Sequence, residues 1–324
     1  MFKQIFIFTA LLVCLVLASC NSHKNAMRAL QLDKSNCNKQ APTAYTVDDL
    51  PKPIHQLQLD TILTKRFSGQ SLNIANAIGI LDLLTSYTRL MNDPAKGGDI
   101  HKKLSLIELS QHIHQKINLA SLEISAVASE LDCEEERANQ FAFYLKEREG
   151  KTENKLIIGS IIIGAVGSIA AEVISNNSSN TGLVGGFTIG VSLVEASLGA
   201  MMLVNKRKVD FSHPNNALTD IWKNAKVSKF FPPSLWYYLT YEYTPKNEKS
   251  LAKQLVDKWF IFGQLTKDNG KSEKKPYDLY FSKGGRYSAS ELKNRADMLD
   301  QTEAYVTLMK QDLKSLTKEI EALQ

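Results

Sequence analysis

Ile113-His-Gln-Lys-Ile117-Asn-Leu-Ala120-Ser-Leu-Glu-Ile124-Ser-Ala-Val127-Ala-Ser-Glu-Leu131 sets its apolar residues alternately four and three positions apart. That rhythm follows the 3.6-residue turn and gathers them on one seam of a helix, as in a coiled coil or a long bundle helix. The seam continues through Ala138, Phe141 and Leu145 towards Gly150, and Glu134, Glu135, Glu136 and Arg137 read as its wet outer face. Proline is the strongest local helix breaker, and none occurs between Pro94 and Pro214. Upstream, Ser71 to Met91 predicts a shorter apolar helix, closed by the Asn92-Asp93-Pro94 stop signal.

The C-terminus repeats the pattern. Leu292, Leu299, Val306, Leu313 and Ile320 stand seven apart, with Met309, Leu316 and Leu323 as companions in the last heptads and Arg295 and Thr302 slipping the register early. Ser288 or Ser290 is a suitable N-cap with Glu291 in the first turn. Two seven-residue seams in one chain can pack on each other, so an antiparallel intramolecular bundle is expected ahead of a homo-oligomeric coiled coil. Residues 216–225 and 250–265 predict further helices, the aromatic run from Phe230 to Tyr243 predicts core packing after a double proline, and 267–287 reads as polar and turn-rich. The fold class expected is mainly α: an elongated helical bundle or coiled-coil domain over 61–324, with a C-terminal heptad helix at 288–323 and a central Gly-rich apolar helical hairpin at 156–204.

That hairpin is the unusual feature. Leu156 to Ala171 carries no charge, nor does Leu183 to Val194, and the second run resumes after Glu195 as far as Val204. Between them lies a polar, uncharged tip from Asn176 to Gly182; Lys151 and Lys155 flank one base, Lys206, Arg207 and Lys208 the other. Each arm is close to the ~20 residues a bilayer demands. Gly159, Gly164 and Gly167 on the first arm, and Gly186 and Gly190 on the second, would let two helix backbones pack closely, as helices do inside lipid. Glu172 and Glu195 are the intramembrane or buried carboxylates; mid-helix in lipid such a group costs about 2.5–3.5 kcal/mol. Three readings stay open: a helical pair buried in the body, a membrane hairpin inserted after export, or buried strands.

The first residues run from one lysine, Lys3, through an apolar stretch to Leu17-Ala18-Ser19-Cys20, the order of a secretory signal with its cleavage site. Leu17 to Cys20 resembles a bacterial lipobox. The resemblance implies a signal peptide over 1–19, cleavage between Ser19 and Cys20, and lipidation of Cys20 through a diacylglycerol thioether and an N-acyl chain such as palmitate. Two or more chains anchor stably. The site implied is the bacterial cell envelope, with Asn21 favouring the outer membrane and no indication of which face. Residues 20–60, polar and carrying Pro42, Pro51 and Pro53, read as a flexible tether. An anchored start also means that an even number of crossings returns the chain to the outer side. Both basic flanks of the hairpin then lie against the positive-inside tendency.

Apolar residues make up 44% and charged residues 23% of the 324, which excludes wholesale disorder. A net charge of +5 suits anionic membrane surfaces, and export disfavours nucleic acid. Cys37, in the tether, and Cys133, in a charged helix, are expected to stay unpaired. No HExxH, GxSxG, P-loop or dinucleotide fingerprint occurs; His112 and His114 point apart on a helix, and Ser315 to Lys318 matches SxxK by chance. No catalytic, metal or cofactor site is expected. The function expected is a non-enzymatic envelope scaffold or partner-binding lipoprotein, held to membrane lipid by Cys20 and bound to an envelope protein or a second copy. The alternative is a membrane-inserting protein, since long helices flanking an apolar hairpin resemble the layout of the α-helical pore-forming toxins; a cell-wall or glycan enzyme ranks third.

Overall fold

The computed structural model describes residues 37, 44–93, 100–177, 207–242, 248–266 and 274–323, the side chains of 152–177 and 274–276 excepted. All belong to one compact unit, Asn36–Gln324; the other unit, Met1–Ser35, lies outside the described residues. The fold is mainly α. Helices α1 (Thr61–Thr64), α2 (Gly69–Ala77) and α3 (Leu81–Asn92) precede α4 (Ile100–Asn177). Strand β1 (Lys208–Ser212) follows, then α5 (Ala217–Lys223), α6 (Pro233–Thr240), α7 (Leu251–Ile261), α8 (Lys274–Phe281), strand β2 (Gly284–Ser288) and α9 (Ala289–Glu321).

The seam of α4 is buried as its spacing requires, from Ile113 to Leu145. Helix α9 begins where its cap predicts: the Ser288 hydroxyl accepts from the Glu291 amide, and the Glu291 carboxylate accepts from Ser288 N at 2.7 Å. It runs antiparallel to α4. Near its start Lys293 reaches Asn139, a few turns on Glu303 meets Asp132 and Glu135, and further along Gln70 of α2 donates to Asp312. The expected antiparallel bundle is therefore present. Arg295 and Thr302, which slip the apolar register, nonetheless face inward and are fully buried.

Several expectations need correction. The helix read over Ser71 to Met91 is two helices, because Gly79 adopts φ +69°, a left-handed conformation that ends α2. Helix α4 carries the seam past Gly150 and on through the first apolar arm to Asn177 as one helix, 78 residues in all and about 115 Å at 1.5 Å per residue. The stretch 267–287 holds α8 and β2. Strand β2 pairs antiparallel with β1, Val209 opposite Tyr287 and Phe211 opposite Gly285. Gly284 is required there, since a Cβ would collide with the Phe211 carbonyl.

The segment 44–60, expected within the tether, is packed on the body. Tyr45 Oη accepts from Ser228 N at 3.0 Å, Asn76 donates to Lys52 O at 2.8 Å, and Ile54 N donates to Tyr237 Oη at 3.2 Å. Cys37 and Cys133 are joined by a disulfide across 96 positions, correcting the expectation of free thiols. The polar composition and prolines of 44–60 suit a strap that satisfies its backbone on side chains of the body instead of in a ladder. The aromatic run is core: Phe231 stacks on Trp236 at 5.5 Å, and Trp236 Nε1 donates to Ala225 O.

Candidate functional site

Glu149 of α4 and Arg207, where the described chain resumes after Asn177, meet at one place. Glu149 Oε1 accepts from the Arg207 amide at 2.9 Å, which ties the outgoing helix to the incoming chain. One residue later β1 begins, and its Lys208 lies opposite Ser288, the cap of α9. Helix α9 thus starts level with residues 139–149 of α4, and α4 runs on past Glu149 for about 40 Å at its helical rise. A cavity of about 680 Å³ opens at this junction, lined by Ala142, Phe143, Lys146, Glu149, Ser290 and Lys293 among others. Phe143 is 71% exposed beside it.

The junction is rich in cations. Lys151 pairs with Glu147 at 2.5 Å, Lys208 with Glu291 at 3.5 Å and Lys293 with Asp297 at 2.8 Å. The Arg148 guanidinium lies 4.8 Å over the Tyr144 ring. Lys146, exposed, makes no ion pair among the described residues.

Beneath the junction the core turns polar. Arg137 donates to Glu134 and to Ser212 O, each at 2.7 Å, and lies 4.1 Å over the Phe211 ring. Arg295 donates to Tyr280 O and to Asn216 Oδ1. Tyr287 donates to Leu279 O, so at 2.8 Å its oxygen accepts from His213 Nε2–H. Burial and the nearby Arg295 and Arg137 guanidinium groups hold His213 down at about 2, a neutral ring. This network is sealed: His213 is 0% and Arg295 1% exposed, so it orients the fold and meets no substrate. Glu134 and Arg137 are therefore not part of a wet face. Sequence spacing held the signal, for Glu134 falls in step between Leu131 and Ala138.

Two further features lie elsewhere on α4. Asp132, Glu135 and Glu303 bring their oxygens within 4.8 Å of one another, the one set among the described residues close enough to share a cation. Burial first, then the Asp300 and Asp132 charges beside Glu135, raise its carboxyl; burial, then Asp132 and Asp300, raise that of Glu303. Acidic groups meet this way without an ion, and no role is assigned to them. Towards the start of α4, a groove of about 660 Å³ between α3 and α4 is lined by Tyr87, Met91, Ile107, Gln111 and His114 among others.

The residues singled out from sequence divide by position. Gly159, Gly164, Gly167 and Glu172 lie on the backbone of α4. Ser19, Cys20, Gly186, Gly190 and Glu195 lie outside the described residues. His112 is exposed and His114 lines the groove, while Ser315 only donates back to Gln311 O. No helix among the described residues is long and apolar enough to cross a membrane. No protein-family model, curated protein or solved structure matches this chain.

Proposed function

We propose that the chain is a lipid-anchored protein of the bacterial cell envelope, at the outer membrane, acting without catalysis as a membrane-associated scaffold or partner-binding protein. The observation that carries this reading is the Cys37–Cys133 disulfide. Such bonds persist in oxidising compartments and are rare in the cytosol, which agrees with delivery through the lipobox-like Leu17 to Cys20. Stiffness comes from the α4–α9 pair. A surface for a partner comes from the groove between α3 and α4, beside which Ile100 and Leu104 stand 73% and 66% exposed. Radiolabelled palmitate is expected on the wild type and absent from Cys20→Ala. Crosslinked pull-down should recover a stable complex with an envelope protein or a second copy. Repeated recovery of the protein alone counts against the scaffold.

A second reading, membrane insertion by the 156–204 hairpin, draws support from the Glu149–Arg207 contact, which brings the two ends of that span to one point. It expects dye leakage from liposomes, abolished by lysines placed between Leu156 and Ala171. No leakage at any lipid composition or pH would retire it.

A further inference from the structure

We propose that the basic collar at the base of the hairpin, with exposed Phe143 and the Lys146–Lys293 cavity at its centre, docks on an anionic lipid surface. The inference deepens the membrane reading above and rests on it.

Charge complementarity decides the occupant. Lys146 and Lys293 enter the same cavity from α4 and α9, and Lys208 and the Arg207 backbone arrive beside it on the returning chain. The carboxylates nearby are each engaged: Glu147 with Lys151, Asp297 with Lys293, Glu291 with Lys208 and Ser288, and Glu149 with the Arg207 amide, which leaves Lys146 without a counter-charge among the described residues. An excess of cations beside the base of an apolar arm is the arrangement that anionic headgroups attract, at about 1 kcal/mol per basic residue near the surface. Phe143 supplies what a purely electrostatic patch lacks. A ring 71% exposed on an outer helix face gains nothing from water, and its apolar body suits the headgroup boundary. Cations and an exposed ring thus share the stretch of α4 from residue 143 to 151. The groove near the start of α4, by contrast, is lined mainly by amides and apolar groups.

The test is flotation of the mature chain carrying Cys20→Ala, so that no acyl chain holds it, with vesicles of phosphatidylcholine alone or doped with phosphatidylglycerol. Binding is expected to the doped vesicles and to weaken with salt. Lys146→Gln and Lys293→Gln should each lower it about fivefold, and together about thirtyfold. Lys→Arg at both positions should retain it, and Phe143→Ala should weaken it on all doped vesicles. Both lysines are exposed, so unchanged thermal melts will show that folding is intact. Unaltered flotation of the double Gln variant would overturn the collar; if lysines between Leu156 and Ala171 then abolish flotation, the hairpin reading survives alone. Displacement by inorganic phosphate at matched ionic strength would make this a free-anion site and also overturn the proposal. Absence of flotation with every vesicle removes collar and hairpin together.

Discussion

At the end of the α4–α9 pair away from the hairpin, the seam is filled by Ile113, Ile117 and Ile124 on one helix and Val306, Met309, Leu313 and Leu316 on the other, all buried. At the hairpin end the same seam positions carry Glu134 on α4 and Arg295 and Thr302 on α9, with Arg137 beside them, and these are buried too. One rhythm therefore serves two chemistries. The apolar end has only to exclude water, and gains about 25 cal/mol for each Å² of apolar surface it hides. The charged end must recover the cost of desolvating three ions, which it does through directed hydrogen bonds to β1, Asn216 and Tyr280. Those partners all belong to chain that follows the hairpin. The buried arginines thus fix where the returning chain lies, which greasy contacts, being non-directional, cannot do.

The sharpest way to break this contrast is to strand a charge. Glu134→Ala leaves the buried Arg137 guanidinium without the carboxylate it bonds, and is expected to cost about 3–5 kcal/mol in urea unfolding. Replacing the pair together, Glu134→Leu with Arg137→Met, should cost less than the single change, because neither member of that ion pair is left without the other. Leu316→Ala at the apolar end is expected to cost about 3 kcal/mol through its cavity, without altering the pH dependence of stability. A double variant at Glu134 and Arg137 that costs as much as Glu134→Ala alone would show that the two ends do not differ as described.

How much of this could be read from sequence follows from the range of each interaction. The α4 and α9 seams, the Ser288–Glu291 cap and the stop at Asn92 were legible, because each is encoded within two or three turns of helix. Glu134 and Arg137 read from their charge as outer face and Arg295 as a register slip, although the steps from Leu131 to Glu134 to Ala138 never break. Strand β2 was missed, since its partner lies far back in the chain and Gly284-Gly285 looks locally like a turn. The basic flanks of the hairpin were visible as flanks. Their convergence into a collar was not, for it depends on the Glu149–Arg207 contact and on where α9 begins. The disulfide escaped for the same reason: nothing in a short window tells Cys37 that it meets Cys133.

That bond offers a test of the boundary between the ends, since Cys133 lies one residue before Glu134. Cys37→Ser is expected to lower stability by about 2–4 kcal/mol, the range for a cross-link closing a long loop. Wild type unfolded in excess dithiothreitol should match the variant. If the variant loses nothing, residues 44–60 hold the strap by their own hydrogen bonds, and the disulfide marks the compartment without stabilising the fold.

The smallest effect expected has the opposite sign. Glu303 faces Asp132 and Glu135 across the α4–α9 seam, half-buried, and its carboxyl is raised by burial and by the Asp132 and Asp300 charges. A raised carboxyl binds its proton more tightly in the folded protein than in the unfolded chain. Its contribution is therefore fully present below the ordinary carboxylate range and is lost as pH rises through the raised value. At neutral pH the ionised group opposes folding. Glu303→Gln should then stabilise the protein at pH 7, by on the order of 0.5 kcal/mol after solvent screening, and the gain should vanish in acid. Urea midpoints for both proteins at neutral and acid pH measure it. A Gln variant that gains equally at both pH values would trace the effect to packing at the seam, and the acidic trio would then contribute nothing to the difference between the two ends.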